Sequence, residues 1–417
     1  MTRLLAVGDI HLGRLPASLP DDLIEQRHSL GPEVAWQRAV AEAIRESVEG
    51  VLLAGDVVER SRDFFVAYGQ LKSGIEQLAA AGIPVFAVAG NHDTHVLPRL
   101  AREIESLTLL GEGGRWEQVE VGDIDLLGWS FPTTHVRASP LAQLDDRHNE
   151  RPLIGLLHCD RDQADSQYAP VSSAELAAAP VDAWLLGHIH QPDSLDGERP
   201  IGYLGSVSAL RASELGARGP WLIEIEGRKV TARQRPLAPL RFEALDIDAA
   251  GLEDADTLSS RLLSATRARL ESLPADTLPD ALGLRVRLHG HSALAAQLPE
   301  LVASLEKDAR SWEEMGVRCF LDKIHSDALP ELDLEQLARR ADPCGLLAQR
   351  LVALGQPDSD DAQRLIQLAR PRLENPTQWR EFQSLEKTLS DDEIRHHLID
   401  AARQTLIRLL DQQRAGQ

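Results

Sequence analysis

"VFAVAGNHDTHV", residues 85–96, passes within a few positions from an apolar run to Gly90, Asn91, His92 and Asp93. The apolar half has the composition of a buried strand. A core has no use for an amide, an imidazole and a carboxylate in succession, so the switch marks a strand reaching a surface and delivering polar groups there. Four other stretches end the same way: "LLAVGD" (4–9), "GVLLAGD" (50–56), "LIGLLHC" (153–159) and "DAWLLGHI" (182–189). Between them lie helical patterns, "PEVAWQRAVAEAIRESV" (32–48) and "FFVAYGQLKSGIEQLAAAG" (64–82), the second closed by a glycine stop signal. Strand and helix in alternation predict an α/β sheet with covered faces. "DIDLLGW" (123–129) reads as a further strand, and "PWLIEIEGRKVTARQRPL" (220–237) as a hairpin turning at Glu226-Gly227.

The polar residues gather at the C-terminal ends of these strands. Asp9 and His11 follow the first, Asp56 the second, Asn91 and His92 the third, His158 the fourth, and His188 and His190 the fifth. In an open α/β sheet ligands bind at that edge. The pairs Asp9/His11 and His188/His190 are spaced i, i+2, which in extended chain points both members to one side.

Two Asp, one Asn and four His, with His92 left aside, supply oxygen and imidazole ligands without thiolate. Such a set suits Mn, Fe, Zn, Ni or Co rather than calcium. Seven ligands exceed one ion's need; if one carboxylate bridges, they make two four-ligand sites, spaced as in hydrolases with two ions about 3.5–4 Å apart. Any one of these motifs arises by chance, and a lone histidine is more often a core or surface residue. Five in order at five strand ends point to a metal centre.

The blocks "GDIHLG" (8–13), "AGDVVER" (54–60), "GNHD" (90–93), "LLHCD" (156–160) and "GHIHQP" (187–192) resemble the signature of the calcineurin-like metallophosphoesterases. The opening Asp-x-His-Leu-Gly, GNHD rather than GNHE, and "IGYLGSVSAL" (201–210) resemble the SbcD and YhaO-type DNA repair exonucleases. The likeness is strong over residues 1 to about 240 and holds in outline beyond. Glu59 stands where the family's "GDLFD" block has Asp, a position outside its ligand pattern.

The resemblance implies a four-layer sandwich, two mixed β-sheets flanked by helices, with a smaller α+β capping region and a helical C-terminus. The expected domains are 1–240 (metallophosphoesterase, nuclease), 241–330 (capping-like α+β) and 331–417 (helical, a candidate partner-docking region). It further implies that Asp9, His11 and His190 hold one divalent ion, that Asn91, His158 and His188 hold a second, and that Asp56 bridges them. Mn²⁺ is the expected metal, with Fe, Zn, Ni or Co as alternatives. His92 resembles the family's catalytic histidine, which contacts the phosphate and protonates the leaving oxygen. Gly90 is read as permitting the tight turn that presents Asn91 and His92. Asp93 is read as orienting His92 or capping the next segment.

Composition limits the alternatives. With 65 acidic against 44 basic residues, net −21, the average surface repels polyanions. Metal ions, a few arginines or a partner chain must then supply positive charge. Arg14, Arg60, Arg62, Arg99 and Arg137 follow motif blocks and are candidates for a phosphate track, with solvated surface arginines as the plain alternative. Cys159, Cys319 and Cys344 have no C-x-x-C spacing, which speaks against a disulfide framework and a cysteine zinc site. No apolar run approaches the roughly 18 residues of a bilayer span. The opening "MTRLLAVGDIHLG" meets Asp too early for a signal peptide. A cytoplasmic protein without membrane association is expected. His95 and His135 are placed near the site's edge or on the surface, "HGH" (289–291) is read as structural, and His396-His397 as no metal site.

Beyond 240, "DTLSSRLLSATRARLESL" (256–273) reads as helix, "LGLRVRLHG" (282–290) as strand, "SALAAQLPELVASLEKDA" (292–309) as helix and "VRCFLDKI" (317–324) as strand, a small β-α-β unit. After "DPCG" (342–345) the pattern is helical. "EIRHHLIDAARQTLIRLLDQQ" (393–413) carries one apolar stripe, which either packs on its own domain or docks another protein. In the family this region binds an SMC/SbcC-like coiled-coil ATPase. The leading expectation is therefore a metal-dependent phosphodiesterase, a DNA exonuclease or endonuclease of the SbcD/YhaO type acting in repair, with DNA and that ATPase as partners and a homodimer as an open assembly state. The alternatives are a phosphodiesterase for small molecules (a cyclic nucleotide or nucleotide-lipid) and a non-catalytic metal-binding scaffold of an ATPase complex.

Overall fold

A computed structural model describes residues 1–145, 150–308, 310–356, 359–373 and 390–415. The expected helical region 331–417 therefore lies in part outside the described residues. The chain divides into two compact units: Met1–Ile247 with Ala255–Leu288 and Glu300–Ser326, and Asp248–Asp254 with His289–Pro299 and Asp327–Gln417.

In the first unit, β1 (Thr2–Val7), β2 (Gly50–Leu53), β3 (Val85–Ala87) and β4 (Leu107–Leu109) run parallel as neighbours. The next five strands, β5 (Glu117–Val121), β6 (Ile124–Trp129), β7 (Leu153–His158), β8 (Ala183–Gly187) and β9 (Ile201–Tyr203), form a second sheet in that order, antiparallel between β5 and β6 and parallel thereafter. The chain then returns to the first sheet through a hairpin, β10 (Trp221–Glu226) and β11 (Lys229–Gln234), with β10 antiparallel to β1. The hairpin turns at Gly227-Arg228, one residue later than the spacing suggests, and Gly227 takes φ 58°.

Alternation along the strands makes the layers. Leu5 and Val7 of β1 face α1 (Pro32–Glu46) and α2 (Phe64–Ala80), joining Trp36, Ala39, Leu71 and Ile75 in one core. Leu4 and Ala6 face the other way and meet Leu126, Ile154, Leu156 and Leu185 of the second sheet. The far side of that sheet packs Leu153, Leu157 and Trp184 under Leu176, which lies on the short helix Ser173–Ala178. The result is a four-layer sandwich of two mixed sheets between helices, as the fold-class reading expects. Because the inner strands are buried on both faces, they read as continuous apolar runs.

Four further strands complete the unit's third sheet. They are Leu240–Asp248, Ala281–His289, Trp312–Glu314 and Val317–Ser326, with Ala281–His289 parallel to Val317–Ser326. Phe242, Ala281 and Phe320 share a core cluster with Leu23, Leu30, Ala209 and Ala212. The helix between the parallel strands begins at Leu298 rather than at 292 and is described to Asp308, residue 309 lying outside the described residues. Pro299 lies in its first turn, and the steric demand of a proline on the residue before it disfavours continuing the helix upstream.

In the second unit, helices Pro343–Leu354 and Asp391–Ala415 bring Cys344, Ala348 and Leu351 against Leu406. Asp342 caps the former by accepting a hydrogen bond from Gly345 N at 2.8 Å. All three cysteines are free and buried. No helix among the described residues is long and apolar enough to cross a membrane.

Candidate metal centre

β1, β2, β3, β7 and β8 all direct their C-terminal ends to one edge, and the loops that follow turn sharply there. Asp9, His11, Asp56 and His188 adopt φ of 36°, 54°, 49° and 106°. An L-residue in the left-handed region costs on the order of 1–3 kcal/mol and persists where its surroundings hold it. The extended-chain reading of Asp9/His11 and His188/His190 is corrected accordingly. Left-handed turns, not strand alternation, aim these side chains, and they send His188 and His190 to different ligand groups: Asp9, His11 and His190 in one, Asp56, His158 and His188 in the other.

In the first group, His11 Nε2 and His190 Nε2 stand 3.0 Å apart. The other ring nitrogen of each faces a carboxylate: His11 Nδ1 lies 2.8 Å from Glu59 Oε2, and His190 Nδ1 lies 2.8 Å from Glu214 Oε1. Glu214 keeps the His190 proton on Nδ1 and leaves its Nε2 lone pair facing His11 Nε2, while His11 Nδ1 stands near Glu59 without a hydrogen bond to it. Two imidazole Nε2 atoms at this distance either share a proton or face a common cation. Two donors about 2.1 Å from one ion and at a right angle lie about 3 Å apart. In the second group, Asn91 Oδ1 is 3.1 Å from both His158 Nε2 and His188 Nδ1, again the spacing of donors around a shared ion. Asp56 Oδ2 lies 3.4 Å from His158 Nε2 and 3.9 Å from His11 Nε2, within reach of both groups. Asp9 accepts hydrogen bonds from His188 N at 3.0 and 3.2 Å, tying the groups together. The donor set thus fits a pair of divalent ions.

The charges are deeply buried. Burial alone would raise Asp56, yet the neighbouring His158 holds its carboxyl well below the usual range. Burial likewise opposes protonation of His158, but Asp56 outweighs it and raises the imidazole. Asp9 is raised, by burial first.

His92 stands beside these groups and is exposed. Its backbone N donates to Asp56 Oδ1 at 3.0 Å, and its Nδ1 meets the Glu59 carbonyl oxygen at 3.2 Å. The ring packs edge-on against His11, centroids 5.2 Å apart. Of the two roles the sequence suggests for Asp93, its side chain does not reach His92, while its carbonyl oxygen accepts from Val96 N and Leu97 N at 2.9 Å, at the start of the helix Leu97–Glu103. Its Oδ1 accepts from Gly90 N at 2.8 Å and its Oδ2 from Val57 N at 2.7 Å, so this carboxylate braces the loops after β2 and β3 against each other.

Gly90 also has a different role from the one expected. It has no positive φ; a Cβ there would fall into the Asp56 carboxylate and 2.7 Å from Asp56 N. Close approach, not turn geometry, requires the glycine.

A cleft of about 790 Å³ opens over the centre, lined by His11, His92, His188 and His190 and rimmed by Arg14, Arg60, Arg62 and Arg211. Arg99 stacks over Phe64 at 4.5 Å beside a separate pocket that also holds His95. Arg137 is exposed and does not line the cleft. His135 reaches the centre only indirectly, through Tyr168, whose ring lies 5.7 Å from His135 and 5.1 Å from His188.

Sequence reasoning gave no role to Glu59, Asp160, Tyr168, Arg211, Glu214 or Arg218. Glu59 and Asp160, the latter 3.4 Å from His188 Nε2, sit inside the motif blocks, so their adjacency to ligands was a usable signal. The others come from loops without a motif.

Residues 2–192 match the calcineurin-like phosphoesterase family model, and residues 242–328 match the middle domain of metallophosphoesterase YhaO. The chain is 30% identical over 272 residues to the DNA double-strand break repair protein Mre11 of Haloferax volcanii, covering 63% of this chain and 58% of that one. It is 26% identical over 224 residues to the uncharacterized metallophosphoesterase YhaO of Bacillus subtilis, covering 49% and 52%. To the Mre11 protein of Aeropyrum pernix it is 26% identical over 264 residues, covering 57% and 62%. The aligned part is thus between about half and six-tenths of these relatives' length.

Proposed function

We propose, from the match of residues 2–192 to the calcineurin-like phosphoesterase family model, that the protein hydrolyses phosphodiesters with two divalent metal ions and acts as a DNA nuclease of the SbcD/YhaO type in repair. The observation that carries the reading is the pair of histidine Nε2 atoms 3.0 Å apart, each with its far nitrogen against a carboxylate, at the floor of an arginine-rimmed cleft. Asp9, His11 and His190 would hold one ion and Asn91, His158 and His188 the other, with Asp56 reaching both. Manganese is the proposed metal, and the same donors suit Fe, Zn, Ni or Co. When bound, such a pair lowers the pKa of water and offsets charge on the phosphate.

The chain's own residues supply the rest. His92, with Nδ1 engaged by the Glu59 carbonyl, keeps Nε2 for the leaving oxygen and delivers a proton there. Arg14, Arg60, Arg62 and Arg211 meet phosphates flanking the scissile one. At net −21 the chain needs help to hold DNA. An SMC/SbcC-like coiled-coil ATPase docked on the helical region 331–417 is the proposed partner, a homodimer the proposed assembly, and the cytoplasm the proposed compartment.

The test uses the full chain, stripped of metal and reloaded with Mn²⁺, on end-labelled DNA and on bis-p-nitrophenyl phosphate, with and without the ATPase. Wild type is expected to cleave both substrates, and Asp56→Asn neither. Cleavage of the small diester with DNA untouched in every condition would turn the reading to a small-molecule phosphodiesterase. Inert protein that still binds metal would turn it to a scaffold.

A further inference from the structure

We propose that Glu214 is a positioning residue for the metal centre, and that with Glu59 it makes the Asp9–His11–His190 half the tighter of the two ion sites. The inference rests on the reading of the centre given above and goes beyond it, since it concerns residues outside the ligand set.

Glu214 is 8% exposed and lies on the segment joining β9 to β10. Its Oε1 is 2.8 Å from His190 Nδ1, and its Oε2 accepts from Leu210 N at 2.7 Å, so neither the carboxylate nor the imidazole can rotate without breaking a hydrogen bond. Four residues on, Arg218 is 1% exposed and donates to the His190 carbonyl oxygen and, at 2.8 Å, to Gln191 Oε1. One segment therefore grips His190 by ring and by backbone. Orienting the ring and keeping the proton on Nδ1 presents the Nε2 lone pair to an ion, and a carboxylate behind the ring makes that lone pair more basic.

The two halves are treated unequally. In the first, Asp9 is a charged ligand and both histidines are backed by carboxylates at 2.8 Å. In the second, Asn91 is neutral, His158 Nδ1 meets only the Ala54 carbonyl at 3.0 Å, and His188 Nε2 has Asp160 at 3.4 Å. Although Arg14 and Arg60 offset part of the charge on Glu59, carboxylates at 2.8 Å behind both imidazoles of the first half, against one at 3.4 Å in the second, make its ring nitrogens the more basic donors, so an ion there is bound more strongly.

The experiment is stepwise Mn²⁺ titration of metal-free full-length protein by calorimetry and electron paramagnetic resonance, for wild type, Glu214→Gln, Glu214→Ala and His190→Ala. Wild type should bind two ions in two resolved steps. The glutamine variant, whose amide oxygen can still accept from Leu210 N, should weaken the tighter step about 10- to 100-fold, leave the other unchanged and retain the wild-type melting temperature; the alanine variant should weaken the same step while losing some stability through the unpaired Leu210 N. His190→Ala should abolish that same step. A purely structural Glu214 would instead weaken both steps in proportion and lower the melting temperature, and that result overturns the proposal. So do unchanged steps in both Glu214 variants, or loss confined to the weaker step. If Glu214→Ala misfolds, the near-isosteric glutamine variant decides alone. Wild type that binds no Mn²⁺ overturns the metal-centre reading itself, a result separable from failure of the Glu214 role.

Discussion

The space a side chain at position 90 would need is already filled by Asp56, which makes Gly90 a part of the metal centre although it offers no ligand. Gly90→Ala would drive a methyl group into the Asp56 carboxylate, and the backbone beside it, only 2.7 Å from that methyl, leaves no room to retreat. The expected outcome is a folded protein that binds neither ion at stoichiometric Mn²⁺; two full equivalents by metal analysis would sink the argument. His92 is the opposite case. It shares a third cluster with His11 and Glu59 but lies outside the two groups assigned to the ion pair, so His92→Ala should keep both ions and lose roughly 10²-fold or more in turnover on a small diester, the usual consequence of losing a general acid. Wild-type turnover in that variant would remove it from the chemistry. The ligand types were legible because each sits where an apolar run stops. The carboxylates behind them were not, because Glu214 and His190 are 24 positions apart and no local pattern records their contact.

The loops after β2 and β3 owe their relation to one carboxylate. Asp93 accepts from Gly90 N and Val57 N, and the Val58 N lies 3.4 Å from the same oxygen. Asp93→Asn would place an N–H₂ group against one of those donors. Leaving buried N–H groups unpaired costs about 1–3 kcal/mol, so the variant should be less stable by that order in denaturant unfolding of metal-free protein. Burial, reinforced by the Asp56 charge, raises Asp93 to about 7. A carboxyl whose folded value is raised stabilises the fold fully below its ordinary value near 4 and loses that contribution as pH climbs through 7. The wild-type advantage over Asp93→Asn should therefore shrink between about pH 4 and pH 7; a pH-independent gap would show Asp93 ionised throughout. Among the elements themselves, the doubly buried strands were legible from their apolar runs. The strand Leu240–Asp248 was not, because Arg241 and Glu243 are buried as a pair and break the apolar alternation that would have marked it.

At the scale of the molecule, net charge and cleft pull in opposite directions. The chain carries 21 excess negative charges, while the cleft over the centre presents Arg14, Arg60, Arg62 and Arg211 interleaved with Glu59, Asp63 and Glu214. Arg14 and Arg60 already lie 3.5 and 3.8 Å from Glu59. Duplex DNA bound at this face displaces counterions only where these arginines replace them, each contributing about −0.9 to the slope of log affinity against log salt. Four arginines therefore set a limit near −3.6, and the pairing with Glu59 should bring the measured value below that in magnitude. Fluorescence anisotropy with catalytically silent Asp56→Asn protein in calcium-free buffer, from 50 to 200 mM salt, should give weak binding and a slope no steeper than about −4. Arg211→Ala, which removes the arginine with no ion-pair partner near it among the described residues, should flatten the slope by about one unit. A slope of −7 or beyond would require a basic surface elsewhere on the chain, and DNA could then be held without any partner.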